Sequence, residues 1–141
     1  QEMVKNADQA DIIIMAAAVA DYTPVTTAEN KIKKTEGDFS IPLKRTKDIL
    51  LSIGQQKKDG QFICGFSMET ENMLENSRKK LIKKNADMIC ANNLRQAGAG
   101  YQVDTNILTL IQKDFEKELP LLSKDEAANE ILTVIKNSLK K

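Results

Sequence analysis

Three apolar runs, separated from one another by helical patterns, predict an α/β domain built on a mostly parallel sheet. The runs are DIIIMAAA (11–18), QFICGFS (61–67) and ADMICAN (86–92). Such continuous apolar stretches read as strands buried on both faces, as parallel strands are. A further stretch, NILTLIQKDFEKELPLL (106–122), alternates apolar and polar residues on two arms around Lys113–Asp114, which adds an antiparallel hairpin. The expectation is a Rossmann-like three-layer domain with one hairpin appended, and 141 residues suit a single domain spanning 1–141.

Residues 1–9 read as a helix end with Met3, Val4 and Ala7 on one face, so the chain is expected to begin after an N-terminal βα unit that it lacks. DIIIMAAA is then a fully buried strand. Residues 21–37 are polar, carry Pro24 and Gly37 and show no period, which makes them a long loop of the kind that is usually functional. DFSIPLKR (38–45) alternates Phe39, Ile41 and Leu43, and Pro42 restricts it to a sheet edge or a two-stranded excursion. Thr46 is placed to cap a helix with Asp48 in its first turn and Ile49, Leu50 and Ile53 on its apolar face. After QFICGFS a helix runs to about Lys84, with Met73, Leu74, Leu81 and Ile82 as its packing residues. LRQAGAGYQVDT (94–105) is a glycine-containing loop. Ser123 and Glu126 form a capping box for a last helix bearing Ala127, Ile131, Leu132, Ile135 and Leu139.

Composition narrows the chemistry. Histidine is absent, which removes histidine triads, histidine zinc sites and imidazole general bases. The two cysteines, Cys64 and Cys90, lie in apolar runs and read as buried free thiols without metal-ligand spacing, as in a cytoplasmic protein. A net charge of +1 gives no bulk case for nucleic acid or membrane. The basic residues are nevertheless clustered at Lys31–Lys34, Lys44–Lys47 and Arg78–Lys84, which suits a small anion.

Open α/β sheets take their ligands at the carboxyl ends of the strands. Three such ends carry small or polar residues: Ala16–Asp21, Phe66–Thr70 and Asn92–Asn93. Neither a dinucleotide glycine fingerprint nor a P-loop is present, so phosphate binding falls to lysines or helix N-termini. Lys80 and Lys84, four apart on a helix, read by spacing alone first as an ordinary solvated basic face, with a polyphosphate grip as the alternative. The same two readings stand for Lys31, Lys33 and Lys34. Asp21 is a turn residue or a ligand contact, and Phe66 a core residue or a stacking platform.

AAAVADYTP, ENKIKK, KDIL, GFSMET, KKLIKKNAD and ICANN, in this order and spacing, closely resemble the phosphopantothenoylcysteine synthetase family, the synthetase part of the bacterial coenzyme A flavoprotein. The likeness covers nearly the whole chain. It implies a CTP-dependent ligase that joins 4'-phosphopantothenate to cysteine through an acyl-cytidylate, releasing pyrophosphate with Mg²⁺ as the metal. The family's CTP contacts would fall on Met15, Ala16, Ala17, Asp21, Lys31, Lys47, Asp48, Ile49, Leu50, Phe66, Lys80 and Lys84. Lys31 would be the catalytic lysine. Lys47 stands where the family commonly has proline, which leaves that segment a backbone role. The resemblance also implies a homodimer, with Asp38–Arg45 and the hairpin near 105–121 as candidate contacts. It implies no FMN, because the flavin domain lies outside these motifs. Two other readings are a non-catalytic nucleotide-binding fragment and an NAD(P)- or flavin-dependent oxidoreductase of similar fold. The missing glycine fingerprint weighs against the oxidoreductase.

Overall fold

The computed structural model describes residues 2–34, 36–93 and 104–140. They form two compact units, one made of the residues up to Ala16 together with those from Ile49 onward, the other of Ala17–Asp48.

The first unit holds a five-stranded mixed sheet. The chain enters through α1 (Glu2–Asn6) and a 3₁₀ turn (Ala7–Gln9), then forms β1 (Ile12–Met15). In the second unit β2 (Tyr22–Pro24) pairs antiparallel with β3 (Leu43–Arg45). Back in the first unit follow α2 (Ile49–Gln55), β4 (Phe62–Glu69), α3 (Met73–Lys83) and β5 (Met88–Asn93). The remaining elements are β6 (Thr105–Asn106), β7 (Leu108–Gln112), β8 (Phe115–Glu118), β9 (Leu122–Ser123) and α4 (Lys124–Leu139). The sheet order is β1-β4-β5-β7-β8, with β1, β4 and β5 parallel and β7 and β8 added antiparallel. This is the Rossmann-like α/β arrangement with an antiparallel hairpin that the sequence predicts, and the hairpin turns at Lys113–Asp114 as expected.

Strand alternation sends Phe62, Cys64 and Phe66 to one face of the sheet and Ile63 and Ser67 to the other. α4 covers the first face, where Ala127, Ile131 and Ile135 pack on Phe62, Cys64, Met88, Cys90, Leu108 and Leu110. Its start is fixed by the capping box. Ser123 Oγ accepts from Glu126 N at 3.2 Å, and the Glu126 carboxylate accepts from Ser123 N at 2.9 Å. On the second face Ala7, Ile13, Ile53 and Ile63 form a separate core that also takes in Ile49 and Leu50. A buried hydroxyl pair, Ser67 Oγ and Ser77 Oγ at 2.7 Å, ties β4 to α3 there.

Several expectations change. β1 is not buried on both faces: among the described residues it is one of the sheet's two edge strands, and Ile12 and Ile14 are 41% and 37% exposed because α4 packs over β4, β5 and β7 instead. Thr46 does not cap α2. Its hydroxyl donates to the Ala20 carbonyl at 2.6 Å, inside the second unit. On α3 only Leu81 of the apolar packing set is buried. Leu74 is exposed and Ile82 is 81% exposed, since the helix turns the Ser77–Leu81 side to the sheet. On α4, Leu132 and Leu139 are exposed while the i, i+4 set from Ala127 is buried. The 21–37 loop includes strand β2, and Pro42 lies just before β3, whose register sets Tyr22 opposite Arg45. The glycine-containing loop expected at 94–105 lies outside the described residues up to 103.

The second unit is a two-stranded excursion held by backbone bonds, Thr46 N to Asp21 O at 2.9 Å and Val25 N to Pro42 O at 3.0 Å. The Arg45 guanidinium sits over the Tyr22 ring, 5.8 Å from its centroid, a cation–π contact. Its apolar side chains Val25, Ile32, Phe39, Ile41 and Leu43 are exposed.

Candidate functional site

A cavity of about 330 Å³ opens at the carboxyl ends of β4 and β5 and is bounded by the first turns of α4. Ala16 after β1, Phe66 and Met68 of β4, and Asn92 of β5 supply its sheet side. Asn106, Lys124 and Ala128 contribute on the α4 side. The sequence makes the space in two ways. Alanines at 16, 127 and 128 keep their side chains short, and β4 overruns β1, which ends at Met15 opposite Gly65. The result is a mostly apolar cavity with a few polar groups, the usual constitution of a small-molecule site.

One of those polar groups has no partner. The Oδ1 of Asn92 is buried and, among the described residues, accepts no hydrogen bond. The residue as a whole is 8% exposed. A buried acceptor left unpaired costs about 1–3 kcal/mol, so it is kept either at a loss or for a donor that arrives with a ligand. The α4 N-terminus at the rim is a poor anion site on electrostatic grounds, because its capping box already places the Glu126 carboxylate there. Two hydrogen bonds from Ser123, through its side chain and its backbone, hold the Glu126 carboxyl below the usual glutamate range. The mostly apolar cavity therefore offers a ligand N–H one ready acceptor, Asn92 Oδ1.

The sequence-predicted residues divide between the units. Ala16 and Phe66 line the cavity together. Met15 is half-buried at the end of β1 and packs into the second-face core. Ile49 and Leu50 place their side chains in that same core, which leaves their backbone as the part open to a ligand role. Lys80 is half-exposed on α3 with its Nζ 2.8 Å from Glu69 Oε1. Lys84 is the C-cap residue of α3, one turn beyond Lys80, its backbone N–H bonded to the Lys80 carbonyl at 2.9 Å. Ala17, Asp21, Lys31, Lys47 and Asp48 belong to the second unit and are exposed.

Two site features are absent from the predicted set. Asn92 stood out only as a polar strand end; its lack of a partner is a three-dimensional fact. The Glu69–Lys80 pair links residues eleven apart with no local signature. Cys64 Sγ and Cys90 Sγ lie 3.6 Å apart, buried in the core, and the bond to Cys64 together with burial pushes the Cys90 thiol far above its ordinary range. Among the described residues no three acidic or thiol side chains gather to hold a metal, and no helix is long and apolar enough to cross a membrane.

Comparison with known proteins identifies the family. The family described as "DNA/pantothenate metabolism flavoprotein C-terminal domain" matches residues 1–139. The Coenzyme A biosynthesis bifunctional protein CoaBC of Bacillus subtilis (strain 168) is 47% identical over 129 residues, covering 91% of this chain and 32% of that protein. A cysteine/cysteine sulfinic acid decarboxylase from an unknown prokaryotic organism is 42% identical over 128 residues, covering 90% of this chain and 36% of that protein. The crystal structure of the C-terminal domain of a CoaBC protein superimposes with a TM-score of 0.77 at 38% identity, covering 99% of this chain and 60% of that one. The chain thus spans about a third of the curated relatives it matches, and those relatives carry different activity names.

Proposed function

The chain belongs to the DNA/pantothenate metabolism flavoprotein C-terminal domain family, and from that premise we propose that it is the nucleotide-binding portion of a CTP-dependent phosphopantothenate–cysteine ligase of coenzyme A biosynthesis. The observation that carries the reading is the unpaired Asn92 Oδ1 in a cavity walled by Phe66 at the strand ends. A cytosine offers a flat face for Phe66 and an exocyclic amine for that oxygen.

In this reading the carboxylate of 4'-phosphopantothenate attacks the α-phosphorus of CTP. The P–O bond to the leaving pyrophosphate breaks and an acyl-cytidylate forms. The cysteine amine then attacks the acyl carbon, loses a proton and displaces CMP. The first step brings two anions together, so the protein's task is to neutralise phosphoryl oxygens and hold attacker and leaving group in line. Lys31 is assigned the phosphoryl oxygens, Lys80 and Lys84 the departing pyrophosphate, and Asp21 and the Lys47–Leu50 backbone the nucleoside. Neither step needs a nucleophile on the protein, which agrees with two buried thiols and a chain without histidine. Mg²⁺, where bound with the triphosphate, would offset charge on the phosphate oxygens beside Lys31, Lys80 and Lys84.

The protein works in the cytoplasm in this reading. A second copy would cover the exposed Val25, Ile32, Phe39, Ile41 and Leu43 of the second unit. The test of the mechanism is pyrophosphate release by the intact protein from CTP, 4'-phosphopantothenate and cysteine. Lys31→Gln is expected to keep CTP binding within about threefold and to lower turnover by a hundredfold or more, about 2.7 kcal/mol of barrier. Unchanged turnover would remove Lys31 from the mechanism, and no pyrophosphate from the unaltered protein would remove the ligase reading.

A further inference from the structure

β4 ends in a carboxylate that the proposed reaction does not use. Glu69 points to the α3 face of the sheet, opposite to the face of Phe66 and Met68. Its side chain is 16% exposed, and both oxygens are engaged: Oε1 accepts from Lys80 Nζ at 2.8 Å and Oε2 from Asn76 Nδ2 at 3.3 Å. Asn76 and Lys80 lie one turn apart on α3. The same Asn76 amide also donates to the Glu71 carbonyl at 3.1 Å, just ahead of the helix. Two residues earlier on β4, the buried Ser67–Ser77 hydroxyl pair fixes the same helix to the same strand. The carboxylate is thus held by its strand and by two helix positions, and it cannot travel with a moving lysine.

An ammonium has three donors, and Glu69 Oε1 takes one of them. With that N–H pinned, the other two are aimed rather than free to swivel. We infer that Glu69 is a positioning residue that orients Lys80 Nζ toward the phosphate oxygens of the bound nucleoside triphosphate. The inference rests on the nucleotide reading of this site. It also makes a choice of sign. A carboxylate beside a triphosphate opposes it electrostatically, so Glu69 lowers ground-state affinity. What it contributes is a fixed direction for a donor that must meet charge developing on the leaving group, and that contribution appears in turnover. A carboxylate that merely held α3 in place would not produce opposite effects on the two quantities.

The experiment compares the intact protein with Glu69→Gln, Lys80→Ala and the double variant, measuring kcat and KM for CTP and the urea midpoint of each. Glu69→Gln keeps the shape and an oxygen acceptor and removes the charge. It is expected to lower kcat about tenfold while KM for CTP holds or falls. In the Lys80→Ala background the same change is expected to move kcat by less than about twofold, because its effect runs through the lysine. Equal loss of kcat in both backgrounds, or a raised KM with kcat intact, overturns the positioning role. If Lys80→Ala itself leaves both parameters unchanged while CTP still reacts, α3 is not a phosphate-facing element and the inference fails without the ligase reading. If Glu69→Gln does not fold, Asn76→Ala replaces it. That variant frees Oε2 alone and should show the same coupling to Lys80 at smaller size; additive effects there would also overturn the role.

Discussion

Replacing Asn92 with leucine should make the ligand-free protein more stable and its ligand binding much weaker. Asn92 is 8% exposed and its Oδ1 lacks a partner among the described residues. A buried unpaired acceptor costs about 1–3 kcal/mol, and an apolar side chain of similar shape removes that cost. The adjoining cavity of about 330 Å³ gives room for the extra branch without overpacking. The expected gain is therefore about 1–2 kcal/mol, or a rise in Tm of about 3–8 °C for a domain of this size. The assay is thermal unfolding with and without CTP and Mg²⁺. At a hundredfold excess over Kd, a bound nucleotide adds about 2.7 kcal/mol to the unaltered protein. In Asn92→Leu that increment should shrink to a few tenths of a kcal/mol, since a site built to hydrogen-bond its ligand discriminates strongly when the bond is lost. A fall in Tm without ligand would refute the claim that the oxygen is unpaired at a cost. A full CTP-induced shift in the variant would refute the claim that the cavity holds the nucleotide.

Three structural predictions test the frame around the site. Gly54 lies where α2 meets the end of α3, and a Cβ there would collide with the Lys84 carbonyl oxygen, a backbone atom that cannot rotate away. Gly54→Ala should cost about 3 kcal/mol or more in urea unfolding, whereas Gly65→Ala, which meets the mobile Leu50 Cδ2 at 2.6 Å, should cost less. Asp87 accepts from Lys57 Nζ at 2.6 Å and from Ile63 N at 2.7 Å, so Asp87→Ala strands a half-buried ammonium and a backbone N–H and should cost about 2–3 kcal/mol. Ser123→Ala should cost about 1 kcal/mol by removing the α4 cap. It also removes a pH dependence: Glu126 is held below its unfolded-state range, so its contribution is present above that range and lost as the pH falls through its folded-state value, and urea titration of the variant should show less acid weakening.

The features legible in the sequence are those written locally. QFICGFS and ADMICAN became β4 and β5 because continuous apolar runs have few other homes, and the Ser123–Glu126 spacing specifies a cap by itself. What depended on neighbours far along the chain was not legible. The apolar run of β1 gives no sign that the strand lies at the sheet edge with Ile12 and Ile14 uncovered, because which strand α4 packs over is a property of topology. Thr46 had a suitable position to cap α2, yet its hydroxyl found the Ala20 carbonyl twenty-six residues earlier. On α3 the apolar residues suggested one packing face, but two small hydroxyls, Ser67 and Ser77, set a different one.

At the candidate site the same division holds. Phe66 and Ala16 were readable as strand-end residues and meet in the cavity. The loneliness of Asn92 and the grip of Glu69 on Lys80 were not, since both are defined by distances between separate elements. Ile49 and Leu50 show the reverse case: their place in a family motif suggests a ligand, while their side chains fill the core beside Ile53.

The measurement that tests the central claim most directly is calorimetric titration of this chain with CTP and Mg²⁺, set beside ATP and NADH. The account predicts saturable CTP binding, weaker ATP binding, no NADH binding, and loss of the CTP signal in Asn92→Leu. Absence of CTP binding, or binding that Asn92→Leu leaves untouched, would contradict it.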